Sequence, residues 1–465
     1  MANPDLIVIG AGSAGLVAAS TAARLGARVT LIESARVGGD CTWTGCIPSK
    51  ALLHAAAVAG DAHSSPWTAN TAIDQAAVMA RVRGAIDSVY QRESPEKLAK
   101  IGVEVQAGSA RFRDRHTVEV GGRVLTAPRF LISTGAVPSA PRLPGLESAG
   151  YLTYRDIFEL ERLPARLIIL GGGAVGVELA QAISRLGSEV ILVETADRLL
   201  PAADPEASRV IAAVLAGEGV QVHLGAAVEE VQRSGAAVTV QVGDLVLAAD
   251  ELLVATGRLP HTEGLDLHRA GVEMDGPAIR VDSKLRTSAA GIFGAGDVTG
   301  GLQFTHYAGW QGYAAARNAL FPGSVEGVRT GLPWGIFTDP AVGQVGLLLT
   351  EALALHPGAI EHRLGLERVD RAETEGVRTG FVKLISDGGK KLLGASVVSP
   401  RADELINELS LAIEMGATLA ELSRTIHVYP SYGFAIQDVA AGAGLSRAAS
   451  GWRGGLTRRL VKRLR

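Results

Sequence analysis

Apolar residues occur along this chain in short runs that alternate with glycine-rich turns and helical stretches, which is typical of strands connected by helices. The run Leu6–Ile9 precedes a turn with three glycines, an alanine-rich helix that ends near Gly26, and a second apolar run, Arg28–Ile32. The candidate binding residues of this strand–turn–helix–strand unit are Gly10, Gly12, Gly15 and Glu33. The pattern predicts an α/β fold with a parallel sheet.

The same unit occurs a second time further along the chain. Leu167–Leu170 is followed by a glycine turn, a helix to Gly187 and the strand Glu189–Val193. The candidate binding residues of the second unit are Gly171, Gly173, Gly176 and Glu194. In both units an acidic residue follows the glycines by about 20 positions, where it accepts hydrogen bonds from the ribose of a dinucleotide. Two complete units predict two dinucleotide sites; glycines that serve only helix packing are the alternative.

The turn glycines and the acidic residues suit particular parts of a dinucleotide. The first two glycines allow a tight turn and a close approach of the pyrophosphate to the helix N-terminus, and the third lets the helix pack on its strand. A carboxylate at the ribose repels a 2′-phosphate, so Glu194 predicts NADH in preference to NADPH. No arginine directly follows Glu194, and Arg198 lies further on.

Further apolar runs predict the remaining strands, and the pattern changes near Pro333. The strands are expected at Val103–Gln106, Val118–Val120, Phe130–Ser133, Val220–Leu224, Val238–Val242 and Glu251–Ala255. The proline-rich segment Ala136–Pro144 is predicted as a loop or linker. Beyond Pro333 the longer elements are Phe381–Ser386, Leu392–Val398, Ala402–Met415 and Leu419–Arg424. This shift predicts a third, α+β domain.

The composition is that of a large globular chain with balanced charge. Its 465 residues include 45 Lys+Arg and 48 Asp+Glu, and the net charge of −3 gives no reason to expect nucleic-acid binding. Two cysteines cannot cross-link a chain of this size, so a disulfide between them is expected to serve chemistry. A collagen, a disordered chain and a disulfide scaffold are excluded.

Two segments bear on localisation. Leu6–Ala23 carries no charge, but glycines interrupt it and no basic segment precedes it, so we interpret it as a strand and a helix of a cytoplasmic protein. The tail, residues 446–465, has seven cations and no acid between Arg447 and Arg465. Apolar residues at helical spacing there predict a basic amphipathic helix that makes peripheral contact with an anionic membrane. A solubilising or acid-docking tail is the equal alternative.

Both cysteines lie in one segment beside the first nucleotide unit. Cys41 and Cys46 are separated by four residues, and Pro48 opens an alanine-rich helix. The positive end of that helix and the charge of Lys50 are expected to stabilise a thiolate and lower its pKa. Two cysteines within reach of each other hold two electrons as a dithiol and release them as a disulfide. Two buried thiols, or half of a metal site that lacks its other ligands, are the alternatives.

The motif Gly-Gly-x-Cys-x4-Cys-x-Pro-Ser-Lys after an N-terminal glycine turn resembles the pyridine nucleotide–disulfide oxidoreductases of the glutathione reductase and lipoamide dehydrogenase group. The resemblance extends to about Gly444 and includes Ser133–Gly135, Ala255–Arg258 and Thr287–Asp297. It implies a homodimer with two Rossmann-like domains, which bind FAD and NAD, and a C-terminal α+β dimerisation domain. The expected bounds are 1–148 with 267–332 for FAD, 149–266 for NAD(P) and 333–445 for dimerisation.

The resemblance also implies roles for individual residues. Cys46 would be the thiolate against the flavin, and Cys41 the sulfur that exchanges with the substrate. Lys50 would pair with Glu178 near the flavin N5, and Glu33 would bind the adenosine ribose of FAD. The other cofactor-binding residues implied are Ala110, Thr134, Gly135, Gly257 and Asp297. In this family a hydride from the nicotinamide reaches the flavin, and two electrons continue to the cysteine pair.

The chain departs from the family where a proton carrier is expected. Disulfide reductases carry a motif His-x-His-Pro-Thr-x-x-Glu, in which the second histidine moves protons and the glutamate orients it. Here Tyr429 stands at the second histidine and Phe434 at the glutamate, while His427 keeps the first histidine. A tyrosine with the ordinary pKa of about 10 is a poor base at neutral pH. Tyr429 and His427 are the candidate proton carriers, with a capping or packing role the alternative for His427.

The expected activity is the reduction of a small-molecule acceptor by NADH, through FAD and the cysteine pair. The acceptor is a disulfide, a metal ion or a quinone. Mercuric reductases also lack the His–Glu pair, but they deliver the metal through further cysteines, and this chain has only two. A mercuric or other metal-ion reductase, a dihydrolipoyl dehydrogenase, and a flavin-bearing binding subunit with decayed catalysis are the alternatives.

Overall fold

A computed structural model describes residues 3–64, 72–388 and 390–449 of the chain. The chain divides into two compact units: the first contains the residues up to Thr195 together with Ala226–Arg329, and the second contains Ala196–Gly225 together with the residues from Thr330 onward. Nearly all of the predicted basic tail lies outside the described residues. Within the described ranges, no helix has the length and apolar composition needed to cross a membrane.

The first glycine-turn repeat forms a five-stranded parallel sheet in the first unit. Its order is Ile292–Gly294, Phe130–Ile132, Leu6–Ile9, Val29–Glu33, Val103–Ala107. All four residues of Leu6–Ile9 are buried, because this central strand is covered on both faces. Leu6 and Val8 pack with the helices Ser13–Arg24 and Thr305–Leu320, whereas the side chains of Ile7 and Ile9 pack in a separate cluster on the other face.

The second repeat forms a smaller parallel sheet in the same unit. The strand Arg166–Leu170 pairs with Glu189–Val193 on one side and with Glu251–Val254 on the other. The helix Ala174–Arg185 follows the second glycine turn, as Ser13–Arg24 follows the first. The prediction of an α/β fold that contains this strand–turn–helix–strand unit twice is confirmed.

The remaining elements of the first unit are short helices and antiparallel strands. Its other helices are Gly39–Trp43, Cys46–Ser64, Gln75–Glu93, Pro95–Lys100 and Leu146–Ala149, with 3₁₀ turns at Ile157–Glu159, Leu267–Ala270 and Asp297–Thr299. Its antiparallel strands are Ala110–Asp114, Thr117–Val120 and Arg123–Thr126; Glu230–Ser234, Ala237–Val242 and Leu245–Ala249; Ala136–Pro138 with Arg258–Pro260; and Met274–Asp275 with Ala278–Ile279.

The proline-rich segment Ala136–Pro144 is not wholly a loop, contrary to the prediction. Ala136–Pro138 forms a short strand that pairs antiparallel with Arg258–Pro260. This ribbon has two strands, so each proline sits on an edge strand, where the missing N–H does not interrupt a ladder. The density of prolines indicated a loop, whereas pairing with a segment more than a hundred residues away produced a strand.

The second unit is built on a five-stranded antiparallel sheet. Its order is Trp334–Ile336, Ala341–Gly346, Leu392–Ser399, Phe381–Ser386, Ile360–Gly365. The helices of this unit are Pro205–Gly217, Leu349–Leu355, Asp370–Glu375, Ala402–Glu414, Leu419–Arg424 and Phe434–Ala449, with the strand Gln221–His223 and a 3₁₀ turn at Leu366–Arg368. One face of the sheet packs against Ala402–Glu414 and Phe434–Ala449 in a single apolar cluster. The predicted α+β architecture of the C-terminal part is confirmed.

The helix Pro205–Gly217 belongs to this second unit, although the sequence places it within the segment 149–266. Asp204 caps the helix by accepting the backbone N–H of Glu206 at 2.7 Å. The same carboxylate lies 3.0 Å from Nζ of Lys383, and the two side chains are only 4% and 7% exposed. A buried carboxylate and a buried ammonium are costly unless paired, so this ion pair fastens the helix to the sheet.

Candidate functional site

A cavity of about 660 Å³ lies at the carboxyl ends of the strands of the first sheet. Ligands of open α/β sheets bind in this place, because the helix N-termini converge there. The predicted residues on its wall are Gly10, Gly12, Glu33, Cys41, Ala110, Thr134, Gly135 and Asp297. The fold therefore brings together residues from six segments of the sequence around one cavity.

The surroundings of each glycine in the first turn explain why that position has no side chain. A Cβ at Gly10 would lie 2.4 Å from the carbonyl oxygen of Ser133, and a Cβ at Gly15 would lie 1.8 Å from the carbonyl oxygen of Gly10. At Gly12 an added Cβ would meet only the Cα of Gly39, at 3.9 Å. The outer two glycines therefore permit backbone packing, and the middle one leaves room for a ligand at the N-terminus of the helix Ser13–Arg24.

The second turn repeats this arrangement. A Cβ at Gly171 would lie 2.5 Å from the carbonyl oxygen of Ala255, and a Cβ at Gly176 would lie 1.9 Å from that of Gly171. At Gly173 nothing lies within 4 Å of an added Cβ. The open middle position again faces the N-terminus of a helix, which is where a pyrophosphate binds in such turns. Gly257, after the strand Glu251–Val254, has a positive φ of 136° that favours glycine.

Glu33 and Glu194 occupy equivalent positions at the ends of the second strands. Glu33 accepts the backbone N–H of Ala11 at 2.7 Å and that of Ala35 at 2.8 Å. Glu194 accepts the backbone N–H of Gly172 at 2.6 Å. Each carboxylate therefore holds its glycine turn against the adjoining strand. A carboxylate has about four acceptor positions, so Glu33 retains capacity for a ribose diol.

Two acid–arginine pairs line the cavity near the cysteines. Asp297 lies 3.0 Å from Arg258, and only 15% of its side chain is exposed. Burial raises the pKa of Asp297, and the Arg258 guanidinium opposes that rise. Asp40 pairs with Arg155 at 3.2 Å and accepts the Tyr154 hydroxyl at 2.7 Å. Burial and the Asp40 carboxylate raise the pKa of Tyr154 well above its usual range, so the phenol stays protonated.

The two cysteines lie on consecutive helices. Cys41 belongs to the short helix Gly39–Trp43, and Cys46 is the first residue of the helix Cys46–Ser64. Both are free thiols in this structure. The Sγ of Cys46 lies 3.0 Å from the hydroxyl oxygen of Thr305, the first residue of the helix Thr305–Leu320. Cys46 therefore sits where two helices begin.

This environment gives the two sulfurs different acidities. A hydrogen bond from the Cys41 thiol lowers the pKa of Cys46 to about 6, and the Thr305 hydroxyl and the Lys50 charge act in the same direction, against burial and Glu178. The same hydrogen bond, together with burial, raises the pKa of Cys41 well above that of a free thiol. Cys46 is therefore the thiolate of the pair and Cys41 the thiol, as expected of a sulfur at a positively charged helix start.

An ion pair connects the cysteine helix to the second repeat. Lys50, one turn after Cys46, lies 2.9 Å from Glu178 of the helix Ala174–Arg185. The Glu178 side chain is only 8% exposed. The structure thus brings together Lys50 and Glu178, which are more than a hundred residues apart in sequence.

The candidate proton carriers lie in the second unit. The Tyr429 hydroxyl donates to Asp370 at 2.6 Å, and this hydrogen bond raises the pKa of Tyr429. Both ring nitrogens of His427 are engaged, with the Thr425 carbonyl at 3.0 Å and with Glu408 at 2.8 Å. The assignment of His427 as a proton carrier, or as a capping or packing residue, stays a prediction.

The sequence did not single out several residues that line the site or contact its wall. Thr305, Asp40, Tyr154 and Arg155 acquire their roles only through tertiary contacts with distant segments. Thr44 Oγ1 and Arg155 Nε on the cavity wall are buried and have no hydrogen-bond partner within the described structure. Buried polar atoms are almost always paired, so these two atoms mark a place for a polar ligand. No local pattern in the sequence signals such atoms.

Comparison with known proteins agrees with this geometry. The family model of the pyridine nucleotide-disulphide oxidoreductases matches residues 4–312, and that of their dimerisation domain matches residues 332–440. The mercuric reductase of Bacillus cereus is 36% identical over 91% of this chain and 69% of its own length. The dihydrolipoyl dehydrogenase of Thermus scotoductus is 34% identical over 95% of this chain and 97% of its own.

A solved structure is similar over almost the whole chain. It is the Cu(II) complex of the HOCl-induced flavoprotein disulfide reductase RclA from Escherichia coli, with a TM-score of 0.87 and 31% identity over 95% of this chain and 99% of that one. This chain belongs to the pyridine nucleotide-disulphide oxidoreductase family. The predicted family resemblance and fold class are confirmed, and the chain is an FAD-dependent oxidoreductase that uses a pyridine nucleotide.

The cavity fits FAD by its own features. Gly12 leaves space for a pyrophosphate at a helix N-terminus, and Glu33 offers acceptors for a ribose diol. The unpartnered Thr44 hydroxyl and Arg155 Nε supply polar partners, and Cys41 lies on the same wall. These residues provide the contacts that a large, polar, anionic cofactor requires.

Proposed function

We propose that this protein is an NADH-dependent, FAD-containing reductase of a thiophilic metal ion, with Cys41 and Cys46 as its redox pair. The observation that carries this proposal is the state of Tyr429, which stands at the position of the family's proton carrier. Its hydroxyl donates to Asp370 at 2.6 Å, and its pKa is raised by that bond. At neutral pH such a phenol neither accepts a proton nor readily gives one up.

The proton requirement separates the two kinds of acceptor. Reduction of a disulfide releases two thiolates, which need a proton carrier with a pKa near the working pH. Tyr429, whose hydroxyl donates to Asp370, does not meet that need, and both ring nitrogens of His427 already have hydrogen-bond partners. A soft metal ion accepts electrons without taking protons, and thiolates are its preferred ligands. Mercuric reductases and a Cu(II) complex among the similar proteins support an acceptor of this class.

The cysteine pair performs a balanced two-electron exchange. When bound, FAD supplies a carrier that takes a hydride from the reduced nicotinamide and passes on its two electrons. The S–S bond of oxidised Cys41–Cys46 accepts two electrons and one proton, which leaves Cys46 as the thiolate and Cys41 as the thiol. When the pair returns two electrons to two Cu(II), the S–S bond forms again, Cys41 releases its proton and two Cu(I) form. A Hg(II) ion, which two thiolates bind without reducing, would be held by the pair while it takes up two electrons that come from NADH and becomes Hg(0).

A preference for NADH rests on the second repeat. Glu194 places a carboxylate where a 2′-phosphate would lie. The Arg198 guanidinium donates to the carbonyl oxygens of Pro201 at 2.5 Å and of Ala203 at 3.3 Å. Since these bonds engage Arg198, it is not available as the cation that a 2′-phosphate needs.

A homodimer is supported by the second unit taken alone. The family's dimerisation domain covers residues 332–440. Large apolar side chains of this unit are exposed, with Leu411 at 63%, Met415 at 76%, Ile426 at 92% and Val428 at 79%. Exposed apolar groups of this number are stabilised by burial against a second chain.

Peripheral membrane contact of the tail is a separate proposal, which rests on the cations between Arg447 and Arg465. A basic amphipathic helix binds anionic lipid through charge and its apolar face. Flotation with phosphatidylserine vesicles should carry the full chain upward and leave a chain truncated at residue 446 in solution. Equal soluble fractions for the two chains would contradict membrane contact.

The metal-ion proposal is tested by NADH oxidation with a panel of acceptors. Hg(II) buffered by excess thiol, or Cu(II) buffered by a chelator that does not reduce it, should accelerate NADH oxidation in the wild type and not in Cys41→Ala. Lipoamide, glutathione disulfide and a soluble quinone serve as the competing acceptors. If one of these is turned over faster than both metal ions, the proposed acceptor class is wrong.

A further inference from the structure

Thr305, the first residue of a long helix, directs its hydroxyl at the cysteine pair. Its oxygen lies 3.0 Å from the Sγ of Cys46, within hydrogen-bonding distance for sulfur. Thr305 is the first residue of the 16-residue helix Thr305–Leu320, so its backbone N–H is among those not used within the helix. The helix holds the backbone of Thr305 in place, whereas its hydroxyl hydrogen can rotate. The hydroxyl can therefore donate a hydrogen bond to a thiolate or accept one from a thiol.

The groups that face Cys46 come from several elements. Cys41 approaches from the helix Gly39–Trp43, Lys50 lies on the cysteine's own helix, and Glu178 lies on the helix Ala174–Arg185. Glu93, at the end of the helix Gln75–Glu93, acts on Cys41 and accepts the hydroxyl of Thr42 at 2.7 Å. Lys50 and Glu178 form an ion pair, and their opposite charges have opposite effects on the pKa of Cys46.

Among these groups Thr305 is the uncharged donor that acts on both sulfurs. It lowers the pKa of Cys46, and it lowers that of Cys41 as well, although the hydrogen bond to Cys46 outweighs it there. The Cys41 thiol no longer donates a hydrogen bond to Cys46 once the disulfide has formed or the substrate is bound. The Thr305 hydroxyl does not change in those steps, so it is the constant partner of the thiolate.

We propose that Thr305 is a positioning residue whose hydroxyl donates a hydrogen bond to the Cys46 thiolate and thereby stabilises the reduced form of the Cys41–Cys46 pair. This inference rests on the proposed role of the two cysteines as a redox pair and is independent of the acceptor. Reduction adds two electrons and one proton across the S–S bond and leaves Cys46 charged. A donor to that charge therefore favours the dithiol, as stabilised thiolates do in strongly oxidising disulfides.

The test compares Thr305→Val, which keeps the shape and removes the hydroxyl, with Thr305→Ser, which keeps the hydroxyl. The reduced, FAD-loaded proteins are treated with iodoacetamide across the pH range, and the modification of Cys46 is followed by peptide mass spectrometry. The alkylation rate is proportional to the thiolate fraction. In Thr305→Val we expect alkylation at pH 6 to be roughly fivefold slower than in the wild type and the midpoint to move to higher pH. Thr305→Ser should follow the wild type.

A second readout addresses the redox equilibrium itself. Equilibration in glutathione buffers, followed by alkylation of free thiols, gives the fraction of the pair that is reduced. Thr305→Val should lower the reduction equilibrium constant by the same roughly fivefold factor, because the thiolate loses its donor. A merely structural role of Thr305 would change flavin content or solubility without moving either midpoint.

The possible results separate this inference from the proposed function. If the wild type shows a thiolate near pH 6 and Thr305→Val has the same profile, the role of Thr305 is wrong and the redox pair stands. If Thr305→Ser behaves like Thr305→Val, the hydroxyl is not the cause and the inference also fails. If wild-type Cys46 reacts like an ordinary thiol, the proposed redox pair fails and the inference fails with it.

Discussion

Nζ of Lys50 lies 2.9 Å from Oε2 of Glu178, and this ion pair joins the helix that begins at Cys46 to the helix of the second glycine turn. The Glu178 side chain is 8% exposed, so removal of its partner leaves a buried charge. We expect Lys50→Met to lower the free energy of unfolding by about 1–3 kcal/mol, because the buried Glu178 carboxylate loses the ammonium group that it pairs with. Urea denaturation at equal flavin content measures the change.

An exposed ion pair provides the matched control for that experiment. Arg113 and Glu119 lie 2.8 Å apart with side chains 50% and 35% exposed. Arg113→Met should change the free energy of unfolding by less than about 1 kcal/mol, because solvent screens exposed pairs. Equal losses for Lys50→Met and Arg113→Met would show that burial of Glu178 has no energetic consequence.

The proposed preference for NADH depends on Glu194. Glu194→Ala removes the acceptor for the ribose diol and the repulsion of a 2′-phosphate. The ratio of kcat/KM for NADH to that for NADPH should therefore fall roughly tenfold or more, because a hydrogen bond to a charged group contributes about 1.5–3 kcal/mol. Steady-state kinetics with both nucleotides measure this ratio.

Glu33 supplies the control for that change, because its carboxylate holds the first glycine turn as Glu194 holds the second. Glu33→Ala should weaken retention of FAD and leave the nucleotide ratio unchanged. An unaltered ratio in Glu194→Ala would reject the assignment of Glu194 as the selective residue.

The pH dependence of the thiolate follows from the lowered pKa of Cys46. Since that pKa is about 6, the thiolate is populated above pH 6 and is protonated as the pH falls through that value. The long-wavelength absorbance of a thiolate beside a flavin should therefore have half its amplitude near pH 6 in the two-electron-reduced enzyme. Cys46→Ser should abolish the band at every pH. A midpoint near ~8.5, the value of an unperturbed thiol, would contradict the site geometry.

The missing proton carrier leads to a gain-of-function prediction. Tyr429 packs edge-on against Phe434, with ring centroids 5.6 Å apart, at the two positions where the family motif has histidine and glutamate. The double change Tyr429→His with Phe434→Glu should raise turnover of lipoamide or glutathione disulfide by at least about tenfold, because a positioned acid–base group contributes 10²- to 10⁴-fold.

Single changes are the controls for the double one. Tyr429→His alone lacks the orienting carboxylate and should give a smaller rise, and Tyr429→Phe should give none. Unchanged disulfide turnover in the double variant would mean that the absent base is not what limits this reaction.

The repeated unit was predictable from the sequence because its signals are local. The glycines and the acid at the end of the next strand lie within about 25 residues, and the steric contact of Gly15 with the carbonyl of Gly10 arises inside the turn itself, although that of Gly10 is with the distant Ser133. The cysteine motif is also local, because Lys50, which contributes to the lowered pKa of Cys46, lies one turn along the helix that begins at Cys46.

Other features of the site come from distant segments and could not be read in this way. Thr305 reaches Cys46 across 259 positions, and Tyr154 reaches Asp40 across 114. Neither has a periodic or spaced pattern that would mark it, because the sheet order brings their segments together. The strand Ala136–Pro138 was missed for the same reason, since its partner lies at Arg258–Pro260.

We expect two electrons from NADH to reduce the disulfide between Cys41 and Cys46 beside a flavin. Anaerobic titration of the oxidised holoenzyme with NADH, followed by absorbance and by alkylation of thiols, tests it most directly. One equivalent of NADH per flavin should leave the flavin spectrum oxidised, produce the long-wavelength band and expose two new alkylatable sulfurs. Bleaching of the flavin by the first equivalent, with no new thiols, would contradict the account.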